Sequence, residues 1–142
     1  MTRILLVDDH DLIRQGLKRA FERTDDFEVV GEAASVSEAF TLIEDTAPDV
    51  VIFDVRLPDG SGLEATQRAR SEHADLGLVV LTMYAGDEQL FGALDAGASA
   101  FVPKDAPADD VIAAARHAAQ SPHSFTAPDL ADAMRRRMTP TG

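Results

Sequence analysis

No cysteine occurs in the 142 residues, which excludes a disulfide framework, a thiolate metal site and a cysteine nucleophile together. That suits a reducing cytoplasm, the expected location. Positive charge is scarce: 13 Lys plus Arg stand against 25 Asp plus Glu, a formal net charge of -12. Such a field repels phosphate backbones, so these residues alone are not expected to bind DNA. Lysine is rarer still, confined to Lys18 and Lys104. Long apolar runs are missing as well. The first, Ile4 to Val7, meets two aspartates too soon for a signal peptide or a membrane span, so a soluble protein with no membrane partner is expected. At this length one ordinary domain plus a tail is expected, large enough to enclose a single core.

What is present is a series of strand-length apolar stretches separated by helical ones. Ile4 to Val7, Glu28 to Gly31, Val50 to Phe53, Leu78 to Leu81 and Ala100 to Val102 predict five strands. The first, third and fourth are continuous aliphatic runs rather than alternating ones, the pattern of a parallel sheet covered on both faces. Between them Leu12, Ile13, Leu17, Ala20 and Phe21 recur at helical spacing, as do Ala39, Leu42 and Ile43, then Leu90 and Leu94, with Gly97 at a helix end. Ser35, Asp87 and Asp109 fit N-caps or first turns, and Pro107 fits the first turn of the last helix. The fold predicted is an open, doubly wound α/β sandwich.

Ser121 to Pro128 breaks the helical periodicity with turn-forming residues and reads as a linker. The domain proper is therefore expected over residues 1–120. Residues 129–138 read as one short amphipathic helix within a 121–142 connector, with Leu130, Ala133, Met134 and Met138 on one side and Arg135 to Arg137 at its basic end. The last four residues, Thr139 to Gly142, read as more connector.

In open α/β sheets ligands sit beyond the carboxyl ends of the strands. Here those ends carry Asp8 and Asp9, Asp54, Thr82, and Pro103-Lys104. Carboxylates forced together call for a bound cation or a raised pKa, and an oxygen-only donor set favours Mg²⁺ over softer metals. A lysine ammonium and a threonine hydroxyl opposite such a cluster complement the oxygens of a phosphoryl group, where catalysis is mostly positioning and neutralisation. Aspartate can serve as the nucleophile.

These residues resemble the response-regulator receiver domains of two-component signalling, specifically the NarL/FixJ (LuxR-type) subfamily. The resemblance covers nearly all of residues 3 to 120. It rests on Ile4-Leu5-Leu6-Val7-Asp8-Asp9-His10 with Arg14 and Gly16-Leu17, on Pro48 to Asp54, on Leu57-Pro58-Asp59-Gly60-Ser61-Gly62-Leu63-Glu64, on Val80-Leu81-Thr82, and on Ala96 to Asp105. It implies a flavodoxin-like (CheY-like) five-stranded parallel sheet of order 2-1-3-4-5. It implies that Asp54 is phosphorylated by a sensor histidine kinase, that Asp9 ligates Mg²⁺ directly and Asp8 partly through water, and that Arg56 offers its backbone carbonyl. Lys104 would hold a phosphoryl oxygen. Thr82 and Phe101 would form the switch pair, the threonine moving toward the phosphoryl group and the ring turning inward. The receiver would catalyse its own phosphorylation and dephosphorylation without being a conventional enzyme. A C-terminal helix-turn-helix domain, absent from these residues, would bind DNA, and a homodimer is expected on phosphorylation.

Departures from the pattern are legible too. The switch aromatic is Phe101 rather than tyrosine, so it reports by packing alone. Met83 is larger than the residue common beside the threonine, and Arg56 and Tyr84 flank the route of a hydrolytic water. His10, at a helix start, is read as a cap or packing residue without chemistry, and His73, His117 and His123 as surface residues. Asp59 to Gly62 reads as a plain turn. Two other functions compete. A receiver-like interaction module that is never phosphorylated would usually lack one of the acidic pair, acceptor, threonine or lysine. A phosphohydrolase of the haloacid dehalogenase class needs an acid two positions past its nucleophile, where Arg56 stands.

Overall fold

The computed structural model describes residues 1–83 and 86–138. Its elements in chain order are β1 (Thr2–Val7), α1 (Asp11–Glu22), β2 (Phe27–Ala33), α2 (Val36–Thr46), β3 (Val50–Asp54), β4 (Arg56–Leu57), β5 (Gly60–Ser61), α3 (Gly62–Glu72), β6 (Gly77–Thr82), α4 (Asp87–Asp95), β7 (Ala100–Pro103), α5 (Ala108–Gln120) and α6 (Leu130–Met138). The five long strands form one parallel sheet in the order β2-β1-β3-β6-β7. With the small antiparallel β4–β5 hairpin set aside, this is the 2-1-3-4-5 order expected.

Alternation along the strands decides which helix covers which face. Ile4, Leu6, Ile52 and Val79 pack with Leu17 and Phe21 of α1 and with Val111, Ile112 and Ala115 of α5. Their neighbours Leu5, Val7, Val51, Phe53 and Leu78 face the other way, against Ala39, Phe40 and Ile43 of α2 and Ala65 and Ala69 of α3. Both faces of β1, β3 and β6 are therefore closed, which is why those strands read as unbroken aliphatic runs. Each such side chain contributes ~1.5–3 kcal/mol by leaving water. The edge strand β2 is only partly buried along its middle.

The helix ends follow the residues expected to set them, with small shifts. Ser35 caps α2 by accepting from Glu38 N. Asp87 and Asp109 lie in first turns rather than at caps, and Pro107 occupies the cap position, one residue before the first turn of α5. Gly97, at φ 90°, ends α4 with Gly97 N bonded to Leu94 O and Ala98 N to Ala93 O, a pair of bonds that requires the left-handed residue. Asp59 does more than turn the chain: its carboxylate oxygens accept from Val36 N (2.8 Å) and Ser37 N (3.0 Å), capping α2 from the hairpin. Those two bonds hold its pKa below the usual carboxylate range.

Beyond Gln120 the chain runs back along the sheet. Thr126 makes a parallel bridge to Ala100, with Phe101 N donating to Thr126 O (3.0 Å) and Thr126 N to Ser99 O (3.1 Å). Ala133 of α6 is fully buried in a third cluster with Val80, Leu90, Ala93 and Phe101, and Phe125 and Leu130 pack against it. Arg136 pairs with both oxygens of Asp87 (2.7 and 2.8 Å) and with Asp129 (2.7 Å), while the Arg137 guanidinium lies 4.3 Å from the Phe91 ring centroid. No helix among the described residues is long and apolar enough to cross a membrane. Residues 139–142 and Tyr84 lie outside the described residues.

Candidate functional site

At the carboxyl end of the sheet, the ends of β1, β3 and β7 and the loops after them converge, with β6 lying between β3 and β7. Asp8 follows β1, Asp54 ends β3 and Lys104 follows β7, and all three are drawn into contact. Lys104 Nζ lies 2.8 Å from Asp54 Oδ2, 3.0 Å from Asp8 Oδ2 and 3.2 Å from Asp8 Oδ1. Its side chain is 1% exposed, and those of Asp54 and Asp8 are 4% and 3% exposed, so this is a buried triad and not a surface lysine. Backbone bonding fixes the lysine's approach: Lys104 N donates to Thr82 O (2.8 Å), tying the end of β7 to the end of β6.

Burial pushes the Asp54 carboxyl above its ordinary value and repulsion from Asp8 adds to the shift, while bonds from Lys104 and Arg56 N pull it back. Burial thus disfavours the charged form of Asp54, and its neighbours only partly offset that penalty. Asp8 Oδ2 is buried and close to Lys104, yet makes no hydrogen bond among the described residues. The two observations agree if the contact is an ion pair whose direction misses the hydrogen-bonding lobe. Arg14 steadies the same turn by donating to Asp8 O, while its other nitrogens bond Asp11 and Glu32.

Ligand atoms of Asp8, Asp9, His10 and Asp54 all lie within 4.8 Å of one another, a group able to hold a metal ion. Three carboxylates with one unbonded buried oxygen suit a hard divalent cation. His10, read from the sequence as a cap or packing residue without chemistry, joins this group. It sits at the cap position of α1 without a capping bond, and its Nδ1 lies 3.1 Å from Asp8 Oδ1, 3.3 Å from Asp9 Oδ1 and 3.0 Å from Lys104 Nζ. Its only sequence signal was adjacency to the acidic pair.

Thr82 and Phe101, at the ends of β6 and within β7, are each 2% exposed. The Phe101 ring is already inside the third cluster, under Ala133 of α6. A small cavity of about 50 Å³ opens beside the triad, lined by His10, Asp54, Val55, Arg56, Thr82, Met83, Gln89 and Lys104. A larger hollow, about 570 Å³, lies at the opposite end of the sheet around Thr2, Asp49 and Asp75 and touches none of these residues. Gly62 is a second residue whose role was hidden: a Cβ there would stand 1.8 Å from the backbone oxygen of Asp54. Its glycine lets the start of α3 press against the acidic strand end, with Gly62 N bonded to Val55 O (2.7 Å). Of the other histidines, His123 pairs with exposed Asp75 and His117 contacts Ser124 O, whereas His73 Nε2 is buried without a hydrogen bond among the described residues.

A doubly wound sheet of this order, carrying an acidic trio, a lysine and a hydroxyl at its carboxyl edge, defines the CheY-like class of α/β domain. Residues 4–116 match the response regulator receiver domain family, and the chain belongs to it. It is 44% identical over 105 residues to the DNA-binding transcriptional activator DevR/DosR of Mycobacterium tuberculosis, an alignment covering 74% of this chain and 48% of that protein. It is 40% identical over 110 residues to the transcriptional regulatory protein YhcZ of Bacillus subtilis, covering 78% of this chain and 51% of that one. A LuxR-family two-component response regulator from Aurantimonas superposes with a TM-score of 0.85 at 35% identity, covering 96% of this chain and 98% of the other. The chain is thus a receiver domain of the LuxR/NarL type, a signalling protein rather than a conventional enzyme, and it spans about half the length of those curated relatives.

Proposed function

We propose that the chain accepts a phosphoryl group on Asp54 from a phosphohistidine of a sensor kinase and passes the change of state to a transcriptional output. The observation that carries this reading is the buried triad: Asp54, its pKa raised by burial, 2.8 Å from the Lys104 ammonium and backed by Asp8. An Asp54 oxygen forms the new bond to phosphorus, the bond from phosphorus to the histidine nitrogen breaks, and the histidine keeps the electron pair. The donor set fits Mg²⁺, which Asp8, Asp9, Asp54 and the Arg56 carbonyl would hold and which supplies charge neutralisation to the phosphoryl oxygens. Lys104 keeps the acidic cluster compensated before transfer and donates to a phosphoryl oxygen afterwards. Thr82 donates to another. Because Thr82 and Phe101 stand on neighbouring paired strands, movement of the threonine changes the packing around the ring and so the α4–β7 face. Arg56 in place of an acid two positions past Asp54 favours a signalling receiver over a phosphohydrolase.

Residues 1–120 are the phosphoacceptor domain in this reading. Residues 121–142 connect to a helix-turn-helix domain outside this chain that would carry DNA binding in the cytoplasm, with a homodimer formed on phosphorylation. Incubation with acetyl phosphate, read on a phosphate-affinity gel, is expected to give a retarded form with Mg²⁺ and none with EDTA. A chain that never shifts, with Mg²⁺ binding confirmed by calorimetry, would instead be an unphosphorylated interaction module. Light scattering on both forms checks the dimer, and one unchanged monomer mass removes it.

A further inference from the structure

The cavity beside Asp54 has one wall that neither the fold nor the proposed transfer uses. Gln89, in the first turns of α4, lines it together with Asp54, Thr82, Arg56 and Lys104. Its Oε1 is buried and has no hydrogen-bond partner among the described residues. A buried carboxamide oxygen without a donor costs ~1–3 kcal/mol, and a helix otherwise chosen for packing gains nothing from it. Its α4 neighbours Leu90 and Ala93 face the core, where a methionine or leucine at 89 would be equally at home in the helix.

From this geometry we infer that Gln89 orients the water that removes the phosphoryl group from Asp54. The inference rests on the phosphoacceptor reading above and names a further residue for it. A phosphoryl dianion has only acceptor oxygens and offers nothing to Oε1. Water does: it donates one hydrogen to Oε1 and turns a lone pair toward phosphorus. The cavity is of the size that admits a phosphoryl group or a water or two. Lys104, Arg56 N and Thr82 present donors and so suit the phosphoryl oxygens. Among the described lining residues, the side-chain oxygens and nitrogens other than Gln89 that could accept from a water there are those of Asp54 itself, the Thr82 hydroxyl and the half-exposed His10 ring. In the step, water oxygen bonds to phosphorus, the bond from phosphorus to the Asp54 oxygen breaks, the carboxylate leaves with the electron pair, and the water proton passes to the departing phosphate. A side-chain amide holding an attacking water is a recurring arrangement at phosphoryl-transfer sites.

The test uses the whole chain and two near-isosteric variants, Gln89→Met and Gln89→Leu, phosphorylated with acetyl phosphate and Mg²⁺, then freed of donor and followed by intact mass. In whichever variant melts at or above the wild type, the rate of phosphoryl loss is expected to fall about threefold to tenfold, the worth of one net hydrogen bond. The rate of phosphoryl gain and the Mg²⁺ affinity are expected to stay as they were. Unchanged loss, or gain and loss falling together, overturns the role. If both variants unfold, Gln89 is a structural residue and the inference is likewise overturned. A wild type that takes no phosphoryl group fails the underlying reading instead, which separates the two.

Discussion

Lys104→Met removes the only ammonium between two buried carboxylates while keeping most of the apolar stem of the side chain. The wild-type Nζ lies within 3.2 Å of oxygens on both Asp54 and Asp8, and none of the three side chains exceeds 4% exposure. Deleting one partner of a buried ion pair costs roughly 3–5 kcal/mol. A ceiling comes from the alternative of protonating one carboxylate: from an ordinary value near 4, neutralisation at pH 7 costs about 1.4 kcal/mol per unit, roughly 4 kcal/mol in all. For Asp54 it is lower, because burial already raises its pKa. The expected loss is therefore ~2–4 kcal/mol, or roughly 6–12 °C in melting temperature for a chain of this size. The pH dependence follows with a definite sign. With the lysine gone the folded pKa of Asp54 rises further, so stability is fully present below the unfolded value and is lost as pH rises through the folded one. Thermal melts without divalent cation at pH 7 and at pH 4 should show the deficit large at the former and mostly closed at the latter. A variant melting with the wild type at pH 7, or a deficit equal at both pH values, would refute the assignment of Lys104 as the compensating charge.

Three other outcomes follow from the same site and its surroundings. Asp54→Asn should raise neutral-pH stability in the absence of Mg²⁺, because the buried charge is net unfavourable, and urea titrations should show the gain shrinking as pH falls below the folded pKa. Gly62→Ala places a methyl 1.8 Å from Asp54 O and 2.7 Å from its carbonyl carbon, so a loss of about 1–3 kcal/mol from forced backbone movement is expected by chemical denaturation, with weakened Mg²⁺ binding by calorimetry. Arg136→Ala cuts the links from α6 to Asp87 and Asp129, which are half exposed and worth ~0–1 kcal/mol. Melting should barely change, while amide exchange across residues 130–138 accelerates and that of the central strands does not.

The parts of this fold that announce themselves in the sequence are those where one physical demand dominates. β1, β3 and β6 are covered on both faces, and Ile4 to Val7, Val50 to Phe53 and Leu78 to Leu81 say so directly. α3 is quieter, since its buried face is Gly62, Ala65, Thr66 and Ala69, small residues that let the helix approach the sheet but carry little apolar signal. The β4–β5 hairpin, two residues a side, is too short to show alternation. In the site, Asp8, Asp54 and Lys104 were legible because unlike charges at successive strand ends are uncommon without a reason. His10, Gly62 and Gln89 were not: each matters through what stands across from it in space, Asp8 and Lys104 for the histidine, the Asp54 backbone for the glycine, the acceptor cavity for the glutamine. The return of Thr126 to the sheet edge was hidden by the turn-rich Ser121 to Pro128, in which Thr126 alone bridges to β7 and no run of alternating residues marks a strand.

Asp54 is the proposed carrier of the phosphoryl group. Treatment with acetyl phosphate and Mg²⁺, followed by borohydride reduction and peptide mass spectrometry, converts an aspartyl phosphate to homoserine and so marks the residue that held it. Homoserine at position 54, and none in the Asp54→Asn variant, is the predicted result; reduction at Asp8 or Asp9, or at no aspartate in a chain with measured Mg²⁺ binding, would contradict it.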